Sequence, residues 1–459
     1  MTYFDFIYDS SNNPLHCVIL DSQNKIEHIQ IQKFNRVLNE KIELVREKLS
    51  KLGCDGPIVS SDAQHLVGIF GASLFRNIDL IDIKYLVYLI VKLSKEELNN
   101  SSFYIDILIY KGNKLTKSKI QIIQQVENIR KTRIIQNDNC IPNFLRAKFL
   151  EQRVNLMKQV YESFNIEKRN LAENYYKSVI KPTIIPIKEL SQTLKFKQAD
   201  IEFQKKNADS LHKTKILQAI IDTNYKTKTQ YNEYATETGR LISNVSNLPK
   251  YVRKIIQPNN DFIYELDYHA IDFIVASNLA GYYFNVNFDI YNHIQQMVEK
   301  DELGMSSRDI VKQYVFNILY SAKYSKESEI ISSGKLPFNK IEKLKTSLFH
   351  EFNKNGYVLN PFGRIIMPNI KDEDRGMKSL VFSHYIQSTS NDIMLQAMSK
   401  VSEYIQRKTL LTKAIMYNYD SLLFDAKESE LNEVVPLMNC MKCEKFPDLR
   451  LNCSIVSTS

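Results

Sequence analysis

The sequence predicts a multidomain chain of α/β and α+β class, and three observations carry that reading. Short strand patterns alternate with helical ones up to about residue 135. Long amphipathic helical patterns broken by prolines follow. Beyond about residue 232 strand patterns return, mixed with further helices. At 459 residues there is material for about two to four cores. The balance of 44% hydrophobic and 25% charged residues is that of a soluble globular protein.

In chain order, His16-Cys17-Val18-Ile19-Leu20 reads as a strand, Ser22-Gln23-Asn24 as a turn, and 26–31 as a second strand. A helical pattern over 34–52 stops at Gly53, and Pro57-Ile58-Val59 restarts a strand. Pro142 then opens a long amphipathic helix, with Phe149, Val154, Met157, Val160, Tyr161 and Phe164 at helical spacing. Pro182 and Pro186 bracket an extended hinge. After it come basic helical residues, Lys195, Lys197, Lys205, Lys206, Lys213 and Lys215, which suit either phosphate contacts along a duplex or a solvated helical spacer. The segment 332–337 reads as a turn within the later helical stretch.

The net charge of +9 favours polyanionic partners. No apolar run approaches the roughly eighteen residues a membrane helix needs, and the first residues lack a charged segment ahead of an apolar one. Both facts argue against membrane insertion and secretion and point to the cytoplasm. Six scattered cysteines suit free thiols in a reducing compartment. Cys440 and Cys443 have metal-ligand spacing, but only Cys453 follows and no histidine completes a tetrahedral set, so they read as incidental.

Two strand patterns hold the chemistry. Phe262-Ile263-Tyr264-Glu265-Leu266-Asp267-Tyr268 ends in a carboxylate, and Met416-Tyr417-Asn418-Tyr419-Asp420-Ser421-Leu422-Leu423-Phe424 carries another. Carboxylates on the ends of two strands can converge on a pair of Mg²⁺ ions, which suits phosphoryl transfer. Between them, Arg308, Lys312, Phe316 and Tyr320 recur every fourth residue, on one helix face that can meet phosphates and a base. Taken singly, Asp267 would more often cap a helix and the aromatic stripe would more often be core.

With Thr238-Gly239-Arg240-Leu241, Asn244 to Pro249, Gly356 to Arg364 and Gln387 to Ile393, these segments form an ordered set across about half the chain. The stretch 236–425 resembles the core of family A DNA polymerases, the group that includes bacterial DNA polymerase I and several phage replicases. The resemblance implies a right-hand core with thumb over 136–231, palm over 232–290 and 376–459, and fingers over 291–375. It implies two Mg²⁺ held by Asp267, the Tyr268 carbonyl and Asp420, with Lys312 beside these two carboxylates in catalysis. Arg308, Lys312, Phe316, Tyr320, Asp272 and Tyr291 would bind the deoxynucleoside triphosphate. Thr238, Arg240, Asn244, Asn247, Arg364, Gln387 and Tyr419 would touch primer-template DNA. No processivity partner is identifiable.

Departures from the family pattern matter. Asp272 stands where a glutamate usually closes off the sugar 2′ position. Tyr419-Asp420-Ser421 replaces His-Asp-Glu, and single-subunit RNA polymerases carry His-Asp-Ser there. An RNA polymerase or sugar-tolerant enzyme therefore stays open, as does a non-catalytic factor that binds primer-template. The region 1–135 takes the place of the family's RNase H-like 3′ to 5′ exonuclease. It keeps Asp5 but has Ile7 and Leu66 where further carboxylates belong, which implies a degenerate domain without proofreading. The abundance of Ile, Lys, Asn and Tyr without Trp looks like AT-biased coding, as in a phage or another AT-rich replicon whose host cytoplasm would house the enzyme.

Overall fold

In the first of two compact units, 1–188, the strand Thr2–Tyr8 lies at the centre of a five-stranded sheet. The order is Ile26–Gln30, Pro14–Leu20, Thr2–Tyr8, Ile58–Ser60, Leu80–Asp82, with the first three antiparallel and the last two joined in parallel. That is the RNase H-like order. Tyr3, Phe4 and Phe6 are buried, as a central strand covered on both faces requires. This computed structural model describes all residues except 9–13, 34–35, 38, 55, 61–62, 91–149, 152–153, 156, 160, 163, 209–210, 233–235, 247, 285–288, 298–307, 321–337 and 369–375. The predicted helix start at Pro142, the turn over 332–337 and Asn247 lie outside the described residues.

Two local expectations are corrected here. The first helix runs from Asn39 to Cys54, through Gly53. The glycine is needed for close approach: a Cβ there would lie 2.5 Å from Ile78 Cγ2. The expected proline hinge is also helical. Ile166–Tyr175 passes through a π-turn, Tyr176–Ile180, into the helix Lys181–Glu189. Pro182 directly follows the π-turn, a local change of hydrogen-bond register of the kind that accommodates a missing N–H, and burial of Ile184 and Ile187 outweighs the cost of Pro186. The boundary between the two units, Lys188/Glu189, therefore falls on a helix within the expected thumb segment.

The second unit, 189–459, is built on a four-stranded antiparallel sheet in the order Lys413–Asn418, Ser421–Ala426, Phe262–Tyr268, Leu451–Thr458. Below about residue 257 the expected basic helices are partly strand. Thr193–Phe196 alternates exposed and buried residues, turning Leu194 and Phe196 inward and Lys195 outward. Lys205 and Lys206 lie on the helix Gln198–Lys206, and Lys213 and Lys215 on Leu211–Asp222. These helices bury Ile201, Leu217 and Ile220 in one core with Ile263, Ile415, Met416 and Leu423 of the sheet. Burying that apolar face is what holds them; Lys206 and Lys215 are exposed, while Lys205 reaches Gln218 and Lys213 lies 5.4 Å from the ring of Tyr251.

The helix Met377–Lys408 is the long element of this unit and packs against the helices Ile271–Leu279, Arg308–Tyr320, Phe338–Asn355 and Val434–Met441. Its middle is polar yet buried: Ser388, Thr389, Ser390, Asn391 and Asp392 are all under 4% exposed. Ser388 and Thr389 resolve that conflict locally, donating to the Tyr385 carbonyl at 3.1 and 2.7 Å. Among the described residues no helix is long and apolar enough to cross a membrane, and the cysteines are free.

Candidate active site

Asp267 is the penultimate residue of the strand Phe262–Tyr268 and lies opposite Ser421 in the ladder. The segment expected as one strand around Asp420 is a hairpin: Lys413–Asn418 and Ser421–Ala426 are joined by Tyr419 and Asp420. Tyr419 takes a left-handed conformation, φ 54°, which a tight two-residue hairpin demands. The Tyr268 N–H donates to the Asp420 carbonyl at 2.9 Å, which ties the turn to the end of the Asp267 strand. Both carboxylates therefore come from neighbouring backbone in one sheet.

Neither carboxylate forms an ion pair among the described residues. Burial, then the charges of Asp420 and Glu265, push Asp267 up to about 7, against the opposing pull of Arg253 and Lys250. Burial also pushes Asp420 up to about 6, with Asp272 and Glu265 adding to it and Arg240 opposing. Two partly buried carboxylates short of positive charge are a fitting donor set for a hard divalent cation. Mg²⁺ is commonly held by one or two carboxylates, with waters and substrate phosphates completing the shell. No group of three or more His, Cys, Asp or Glu among the described residues is arranged to hold a metal by itself.

The helix Arg308–Tyr320 buries Val311, Val315, Ile318 and Leu319 and turns the predicted face outward. Lys312 and Phe316 are exposed, with the ammonium 5.9 Å from the ring centre. Arg308 is already engaged: its Nε and Nη2 meet Asp289 Oδ2 at 2.8 and 2.7 Å, and its guanidinium lies 5.2 Å from the ring of buried Tyr291. His269 closes this corner. Its Nε2 accepts from the Ile290 N–H at 3.3 Å, and burial holds its pKa below the ordinary range.

Asp272, in the first turn of Ile271–Leu279, accepts from the Tyr320 hydroxyl and from Arg240 Nη2, the latter at 3.0 Å. Arg240 also lies 5.9 Å from the Tyr419 ring. These contacts join the 238–241 segment, the helix Ile271–Leu279, the hairpin and the Arg308 helix around one spot. Asn244 is exposed at the edge, donating to the Lys228 carbonyl at 2.9 Å, Gln387 is half-buried, and Thr238 is buried beside Thr236.

Arg364 is a correction. It is 1% exposed, and its Nη2 meets Asp392 Oδ1 at 2.8 Å with Nε 3.2 Å from both Asp oxygens. That guanidinium is turned to buried Asp392 and not to solvent, where a duplex phosphate would meet it. It also explains Gly239, whose φ is 75° and where a Cβ would stand 2.3 Å from Arg364 Nη1. Sequence reasoning missed Asp289, Arg253 and Glu265. Only Glu265 carried a signal, since it is two residues before Asp267 and therefore on the same strand face.

The family model for DNA polymerase family A matches residues 186–457. DNA polymerase I of Caldicellulosiruptor bescii is 26% identical over 249 residues, 47% of this chain and 29% of that protein. DNA polymerase I of Borreliella burgdorferi is 26% identical over 255 residues, 48% of this chain and 28% of that protein. The thermostable DNA polymerase I of Thermus thermophilus is 24% identical over 243 residues, 46% and 29%. The matches thus span under a third of these relatives' length. Among solved structures, the POL domain of Pol1 from M. smegmatis, in complex with DNA primer-template and dNTP, superposes with TM-score 0.69. Its sequence identity is 15%, and the match covers 99% of this chain and 94% of that one. With more than half of its length matched by the family model, the chain belongs to DNA polymerase family A.

Proposed function

We propose that the protein is a template-directed DNA polymerase that extends a primer 3′-hydroxyl with deoxynucleoside triphosphates. One observation carries the reading: the Asp267 and Asp420 carboxylates, free of ion pairs among the described residues, in the same unit as a helix that turns Lys312 and Phe316 to solvent. Asp267, Asp420 and the Tyr268 carbonyl would hold two Mg²⁺, which when bound supply charge neutralisation at the reacting phosphate. Lys312 meets triphosphate charge, Phe316 offers an apolar wall for sugar and base, and Tyr320 and Arg240 hold Asp272. Primer-template DNA is the partner, as in the M. smegmatis complex, and the cytoplasm is the compartment. Purified protein should extend a primed template with Mg²⁺ and the four deoxynucleotides. A chain that binds primer-template but adds nothing would instead be a non-catalytic factor.

Lys312→Ala should raise the KM for the incoming nucleotide and depress kcat, because the cation acts on charge that changes during transfer. Affinity for DNA should hold. Steady-state extension beside a duplex-binding titration checks this, and a change in DNA affinity alone would remove Lys312 from the nucleotide site.

Asp272 bears on a second reading, tolerance of ribonucleotides. It is one methylene shorter than the family's glutamate, and its bonds to Tyr320 and Arg240 support a fixed carboxylate that would stand beside the incoming sugar. We expect discrimination by sugar, weaker than a glutamate gives. Asp272→Glu should raise the preference for deoxynucleotides and Asp272→Ala should lower it, read from competing incorporation of the two sugars.

Proofreading is not expected. Asp5 is 1% exposed, Leu66 is fully buried, and Asp82 accepts at 2.9 Å from the Ala63 N–H, at the start of the preceding helix Ala63–Phe70. A 3′-mismatched primer incubated with Mg²⁺ or Mn²⁺ and no nucleotide should stay intact. Shortening that Asp5→Ala abolishes would establish a working nuclease.

A further inference from the structure

Glu265 is the acidic side chain nearest in sequence to Asp267, and none of the roles above uses it. It lies on the same face of the strand Phe262–Tyr268, two residues earlier. Its Oε1 accepts from Arg253 Nη1 at 2.5 Å and from Ser421 Oγ at 2.6 Å. The ladder sets Asp267 opposite Ser421 and Glu265 opposite Leu423, so Glu265 reaches Ser421 along the diagonal of the strand pair. Ser421 is fully buried, so this bond is how its hydroxyl is satisfied. Arg253 extends the chain to the other arm of the hairpin. With the amide of Asn418 oriented to satisfy both its ends, its oxygen accepts from Arg253 Nη1 at 3.2 Å and its nitrogen donates to the Ser246 carbonyl at 2.9 Å. Thus one carboxylate and one guanidinium grip both residues that flank the Tyr419–Asp420 turn.

We propose that Glu265 is a positioning residue of the catalytic hairpin. Through Ser421 and Arg253 it holds Asp420 in register with Asp267, and it supplies from the neighbouring strand the acidic side chain that this chain lacks at position 421. The proposal rests on the polymerase reading of the site. Groups that orient metal-binding carboxylates from behind are worth about 10–100-fold in metal affinity or activity.

The test is a cycle of E265A, S421E and the E265A/S421E pair, with E265Q as an isosteric control, each read by extension kinetics and by Mn²⁺ titration of the DNA-free protein in a calorimeter. E265A should lower kcat by about 10–100-fold and weaken Mn²⁺ binding by about tenfold, with the nucleotide KM within about twofold. E265Q keeps an oxygen for Ser421 and should lose less. Returning the carboxylate to position 421 in the double variant should recover both kcat to within about threefold of wild type and Mn²⁺ affinity, at a melting temperature that need not recover; a purely structural role would move kcat only in step with melting temperature. Wild-type kcat and Mn²⁺ affinity in E265A would overturn the proposal, and so would equal loss in E265A and the double variant. If wild type itself neither extends primers nor binds Mn²⁺, the polymerase reading fails instead.

Discussion

Alanine at Asp267 or Asp420 is expected to cut primer extension by about a thousandfold or more while leaving duplex binding nearly intact. On the proposed reading each carboxylate would supply metal-binding charge at the reacting phosphate, and an acidic side chain adds no attraction to the duplex backbone. Single-turnover extension beside an equilibrium DNA titration measures both effects. Extension within tenfold of wild type would take these carboxylates out of the chemistry.

The same site should leave a signature in stability. Folding raises Asp267 to about 7 and Asp420 to about 6 from an ordinary 3.8. Between pH 4 and pH 7 the folded chain therefore keeps protons that the unfolded chain has released. For these two groups, stability of the metal-free protein is greatest near pH 4 and declines as pH rises to about 7, where the folded state must carry both charges. Asp267→Asn removes much of that repulsion. Its melting temperature at pH 8 should exceed that of wild type, with the gap closing toward pH 4. Added Mn²⁺ should stabilise wild type more at pH 8 than at pH 5. Melting curves across this range check the sign.

The second large effect concerns stability alone. Arg364→Ala should destabilise the fold by about 3–5 kcal/mol, because it leaves the fully buried Asp392 carboxylate without its cation. Asn360 offsets only part of the loss: its Nδ2 donates to Asp392 Oδ2 at 2.7 Å, while its Oδ1 takes the N–H groups of Phe362 and Arg364 at 3.0 Å each. Replacing both charges, as Arg364→Met with Asp392→Leu, should destabilise less than Arg364→Ala, since no unpaired charge remains. Denaturant unfolding of the variants decides it. A loss under about 1 kcal/mol in Arg364→Ala would mean that the pair contributes little.

How much of this was legible in the sequence follows from what each feature depends on. Asp267, Asp420 and the face formed by Arg308, Lys312, Phe316 and Tyr320 are marked by residue type and local spacing, which a linear reading can see. The role of Arg364 depends on Asp392, 28 residues away on another element, and an arginine in a segment that resembles a DNA-binding motif says nothing of its burial. Arg308 meets Asp289 in the same way, 19 residues back, from a position with no pattern around it. Local signals also misled where packing outweighed them. Pro182 and Pro186 suggested a hinge, yet buried Ile184 and Ile187 keep that stretch helical. Gly53 suggested a stop, yet it lies inside a helix where Ile78 comes too near for a side chain.

The order of strands in the second sheet has a consequence for biosynthesis. Phe262–Tyr268 is a central strand, but its neighbours, Ser421–Ala426 and Leu451–Thr458, are translated about 150 and about 180 residues later. While the ribosome works through the intervening helices, that strand has two open edges, with Tyr264 and Leu266 uncovered on one face and Ile263 on the other. Such a segment is prone to pairing with other chains. The helices between can form first from local contacts. The proposed catalytic centre then assembles late, when the hairpin and the 451–458 strand dock on either side of Asp267. Nascent chains arrested before residue 420 would lack activity altogether, and those arrested between 426 and 451 would carry both carboxylates on a sheet with one edge unprotected.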